Sequence, residues 1–158
     1  FVKRSPSLTN SKAKTDDIAV DIASNYNHSE HLAYVLCNNP FFDFFDEAID
    51  NYQEIIRKKI YSGLLSVTLI KKHLIDINGK PLGFGFGADW IPSEMLNYLF
   101  EYNGGIQISK VSEIIKTRSF FGMKPKLVDF GCQSFEIDDL VEFENSIQLL
   151  KSKLKLNK

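Results

Sequence analysis

The chain has 158 residues, 44% of them apolar and 25% charged, with 13 Phe and 6 Tyr to fill a core, which is the length of one domain and excludes disorder throughout. Its 19 basic and 20 acidic residues leave a net charge of −1, so no global field gathers nucleic acid or an anionic membrane at the surface. No apolar run approaches the roughly 18 residues of a membrane-spanning helix.

Residues 1–14 are basic and polar without an apolar period, which predicts a flexible N-terminal arm before a single domain over 15–158. Thr15, Asp16 and Asp17 start a helix, a hydroxyl and two carboxylates at the positive end of its dipole. A second short helix is expected over 30–37, with Leu32, Val35 and Leu36 inward. Pro40 opens the longest helix, about residues 41–60, in which Phe41, Phe45, Ala48, Tyr52, Ile55 and Ile56 follow the 3.6 period. After Ser62 and Gly63 the composition turns to β. The run "LLSVTLIKKHLIDI" predicts a long strand bulged at Lys71 and Lys72, and Asn78-Gly79 predicts a type I′ hairpin turn.

The return strand is then "LGFGFG", with Leu82, Phe84 and Phe86 on one face and Gly83, Gly85 and Gly87 leaving the other bare. It lacks the spacing of a dinucleotide fingerprint or a Walker loop. The bare face reads as close packing or as the floor of a ligand pocket rimmed by Asp89, Trp90 and His73. Asp89 is also a candidate cap for a helix from Pro92 carrying Met95, Leu96, Leu99 and Phe100. "GIQIS" predicts a short strand, 110–118 a helix with Val111, Ile114 and Ile115 inward, and "KLVDFG" a strand. The last helix, from Asp138, spaces Leu140, Phe143, Ile147, Leu150 and Leu154 by 3, 4, 3 and 4, a heptad seam.

These elements predict an α+β domain, with a mostly antiparallel sheet of about four strands, a central long hairpin and helices packed on at least one face. Chemistry is sparsely encoded. Cys37 and Cys132 lie far apart with no Cys-x-x-Cys motif, which predicts two buried thiols, with one disulfide as the alternative. His28 and His31 stand at i, i+3, with Glu30 and Cys37 nearby, but nothing completes three or four ligands, so no metal is expected. No nucleophile elbow, zincin or kinase signature occurs, and no catalytic residue or cofactor is assigned.

Two surfaces read as partner-like. Asp43, Asp46, Glu47 and Asp50 form an acidic helix face suited to a basic protein. The heptad seam predicts a homodimer through the C-terminal helix. Lys116, Arg118, Lys124 and Lys126 around Phe120 and Phe121 could stack single-stranded bases, although without net positive charge nucleic acid is not the expected partner. The function expected is a non-enzymatic protein-interaction or binding domain, suggesting a small bacterial accessory, immunity-like or mobile-element protein. The alternatives are a small-molecule pocket over the glycine face and single-stranded nucleic-acid binding by the 116–126 loop. A cytoplasmic location is the default expectation, while a chain opening at Phe1 is also compatible with a removed leader or a larger parent protein.

Overall fold

The computed structural model describes residues 3–10, 12–96, 99–131 and 136–156, the last four of these by their backbone alone. It is the expected α+β domain: four α-helices, a mixed and mostly antiparallel four-stranded sheet, and a separate small hairpin. Helix α1 spans Thr15–Ala23 and strand β1 His31–Tyr34. Helix α2 spans Phe45–Lys58, β2 Gly63–Ile70, β3 Leu74–Ile75 and β4 Pro81–Leu82. Then come β5 (Leu99–Lys110), α3 (Val111–Thr117), β6 (Pro125–Asp129) and α4 (Leu140–Leu156).

The sheet order is β1-β5-β2-β6, with β5 antiparallel to both β1 and β2, and β6 parallel to β2. Side chains alternate between its faces. On one face Leu64, Ile106 and Ile108 pack with Ala48, Tyr52 and Ile55 of α2 and with Phe42 and Phe130. On the other, Leu32 and Tyr34 meet Ala19, Ala23, Val111, Ile114 and Phe120, placing α1 and α3 there. Helices therefore cover both faces.

Several expected elements take another form. Residues 31–34 are a strand, because a short helix has little stability of its own and the open edge of β5 offers a backbone ladder from His31↔Lys110 to Tyr34↔Gln107. Asp43 precedes α2 and is not on its face; Asp46, Glu47 and Asp50 are, and all three are exposed. The long strand breaks where Lys71 and Lys72 stand, and Leu74–Ile75 pairs only with Pro81–Leu82. The hairpin turn has three residues: Gly79 N–H reaches Asp76 O, Asp76 N–H reaches Lys80 O, and only Gly79 has positive φ (82°). That is a type I turn with a Gly bulge in place of type I′.

The bare-faced strand does not form. Gly83 and Gly87 have φ of 82° and 64°, which turns the chain out of the extended region, and Gly87–Asp89 closes a 3-10 turn. A Cβ on Gly85 would collide with Cβ of Asp89, so Asp89 fills the space expected to be open. The true long partner of β2 is β5. Residues 99–110 are strand throughout, so the helix expected from Pro92 is reduced to the 3-10 turn Ser93–Met95. Asn103-Gly104-Gly105, expected to end that helix, forms a bulge inside β5: one residue of β2 between Leu65 and Val67 faces four of β5 between Tyr102 and Gln107. In the connection after β1, Cys37 is exposed rather than buried, while Cys132 lies outside the described residues.

Candidate functional site

Helix α4 begins with a reciprocal cap. Glu142 N–H donates to Asp139 Oδ1 (2.8 Å), and Glu142 Oε2 accepts from the N–H of Asp138 (2.8 Å) and of Asp139 (3.2 Å), a capping box that fixes where the helix starts. Along the helix only Ser146 is buried among the residues whose side chains are described. The expected seam stays largely in solvent: Leu140 is 70% exposed, Phe143 49% and Leu150 50%, with Ile147 half-buried. Leu154 belongs to the stretch described by backbone alone.

Several side chains of the 116–126 loop are tied into the fold. Phe120 is 3% exposed and stacks on Tyr34 at 4.0 Å and 10°, so no base can reach its face. Arg118 pairs with Asp16 (3.5 Å) and with Asp17. Lys126 Nζ donates to Asn51 Oδ1 at 2.9 Å, and Lys124 Nζ lies 5.9 Å from the Tyr61 ring centroid. Phe121 is half-buried, and of the six residues Lys116 alone stands exposed without such a partner among the described residues.

The residues around the glycines make an aromatic lobe. His73 stacks on Trp90 at 4.1 Å and 11°, Phe84 meets both edge-on, and His73 Nε2 lies 2.8 Å from Ile91 O. Trp90 and Phe86 remain more than half exposed. His73 thus supports the indole, and the rings of the lobe pack on one another.

No family model and no curated protein matches this chain. Its functional reading therefore rests on its own residues. Among the described residues no three His, Cys, Asp or Glu side chains converge as a metal site. The two histidines at i, i+3 diverge in role: His31 Nδ1 lies 2.8 Å from Tyr52 Oη, whereas His28 is exposed in the turn before β1. Burial, and then the Lys110 charge, push His31 below the ordinary imidazole range, and burial pushes Tyr52 up to about 12. Nothing in the sequence links these two residues, 21 positions apart, because one is on the edge strand and the other on α2.

A second polar cluster surrounds the β5 bulge. Asn103, fully buried, accepts from Ser66 Oγ (2.7 Å) and Gly105 N–H (3.1 Å) at Oδ1 and donates to Thr68 Oγ1 (3.1 Å). Beside it, Glu136 Oε1 and Asn38 Oδ1 are buried oxygens with no donor among the described residues. Burial, then Asp138, Glu101 and Glu142, raise the Glu136 carboxyl. A raised folded pKa means that the native state holds the proton more tightly than the unfolded chain, so the ionisation penalty is absent below the ordinary glutamate range and grows as pH rises through the folded value. Glu136→Gln, which removes the charge and keeps the shape, is accordingly expected to stabilise the domain at pH 7. Urea midpoints measured at descending pH check this, since the gain must shrink toward acid; a constant gain would assign it to packing instead.

Proposed function

We propose that this chain is a non-enzymatic interaction domain that works as a homodimer through an antiparallel pair of α4 helices. The observation that carries the reading is the seam of Leu140, Phe143 and Leu150, on a well-capped helix yet left in solvent. Apolar residues at heptad spacing are worth most when a second helix covers them.

Charge favours an antiparallel partner of the same sequence. Asp138 and Asp139 stand just before the helix and Glu144 in its first part, while the last part carries Lys151, Lys153 and Lys155. Antiparallel alignment sets acid against base at both ends of the pair, whereas parallel alignment sets like against like. It also sets Ile147 of each copy against Leu150 of the other, two apolar layers related by symmetry. The dimer then offers two copies of the acidic α2 face, Asp46, Glu47 and Asp50, to a basic partner.

Light scattering across a dilution series tests this reading. A dimer mass that falls on dilution is expected, with Phe143→Glu or Leu150→Glu weakening association at least about tenfold, some 1.4 kcal/mol. Lys151→Glu should also weaken it, and adding Glu144→Lys should restore it. A monomer mass independent of concentration sinks the proposal.

A further inference from the structure

A cavity of about 350 Å³ opens between the C-terminal turn of α2 and the junction of β5 with α3. The hydrogen-bonded His31 and Tyr52 contribute to its wall, and Lys59, Lys110, Ser112 and Glu113 add to it. Lys59 is the residue that ends α2 in the left-handed region, with φ 54°, and Lys110 is the last residue of β5. Among the described residues the ion pairs are those of Lys58 and Arg118, so neither cavity lysine has an ion-pair partner there.

The charge balance on the wall is positive. Two ammonium groups stand against the Glu113 carboxylate and about half a negative charge from the C-terminal end of the α2 dipole. The remaining lining is Ser62 together with the apolar Ile55, Ile56 and the Tyr61 ring. Convergent polar groups over apolar walls, in a volume at the lower end of the usual range for ligand sites, describe a small-molecule pocket.

We propose that this cavity binds a small organic anion, a carboxylate or phosphate monoester on a flat or branched apolar body, with its charged group between Lys59 and Lys110. The apolar body lies against Ile55, Ile56 and Tyr61. When Tyr52 donates to His31 Nδ1, the ring proton sits on Nε2 and gives the site a neutral donor besides the two cations. Ser112 and Glu113 are left to accept from a hydroxyl or amine on the ligand, which would select among anions of similar size.

The test is a titration of the ¹⁵N-labelled chain with phenyl phosphate, with benzoate, and with benzyl alcohol as the uncharged control. Saturable shifts confined to the amides of Lys59, Ser62, Lys110, Ser112 and Glu113 are expected for at least one anion and not for the alcohol. The tighter of the two anions identifies the headgroup as phosphate or carboxylate. Lys59→Gln with Lys110→Gln should weaken binding at least about tenfold; both side chains are exposed, and the single Lys110→Gln variant provides the same comparison if the pair alters folding. Shifts that never saturate, an affinity indifferent to these substitutions, or equal binding of benzyl alcohol would each overturn the proposal, whatever the association state of α4.

Discussion

Asn103→Ala is expected to cost about 3 kcal/mol, the sum of a few buried hydrogen bonds left unmade. Asn103 takes the place of a ladder where β5 bulges away from β2. Its Oδ1 accepts from Ser66 Oγ and from the buried Gly105 N–H, its Nδ2 donates to Thr68, and its backbone carbonyl receives Asn39 Nδ2 at 2.7 Å. Ser66 Oγ in turn accepts from Ile106 N–H at 2.8 Å, so the side chains re-route what the two strands cannot exchange directly. Removing the amide leaves the buried Gly105 N–H without the acceptor it has in the native fold. For a domain with a total stability of about 5 to 15 kcal/mol, such a loss is a large fraction. Urea unfolding measures it, and a loss under about 1 kcal/mol would mean that the bulge relaxes or hydrates.

Gly63→Ala should be of similar size, about 3 kcal/mol, for a different reason. Gly63 starts β2 with Ser109 of β5 on one side and Pro125 of β6 on the other. A Cβ built there would lie 2.5 Å from Phe121 O and 2.6 Å from Ile108 O. Its φ is not in the left-handed region, so room and not conformational freedom demands glycine. Both obstacles are backbone carbonyls held by the fold, and neither can swing aside as a flexible side chain would. Gly104→Ala makes the contrast: its φ of 64° adds strain, yet the atom met first is the end of the Glu136 side chain. If thermal melting shows Gly63→Ala within about 0.5 kcal/mol of wild type, the strands have more freedom than this geometry permits.

Burial decides which side chains are free to meet a partner. Phe120 and Arg118 look like a binding loop in isolation, with charge and aromatic interleaved. Tyr34, brought alongside by β1, takes the Phe120 ring face, and Asp16 and Asp17 of α1 take the guanidinium. Those contacts join segments about a hundred residues apart in the chain. The seam of α4 is the opposite case: the spacing is legible in sequence, and its exposure is a property of how the remaining core closes without it.

Sequence by itself determined the elements whose signal is local. The 3.6 period of α2, the acidic start of α1, the heptad spacing of α4 and the β-branched run of β2 all lie within one element, so neighbouring residues suffice to read them. Tertiary structure alone decided the rest. β1 is a strand because β5 had an open edge, and the three glycines of 83–87 make a turn backed by Asp89 because two adopt positive φ. The cavity combines His31 from an edge strand, Tyr52 and Lys59 from α2 and Lys110 from β5. No periodicity links such positions. Their proximity follows from strand pairing between distant segments, whose free energy comes from burial and hydrogen bonding that the chain acquires only once those segments have met.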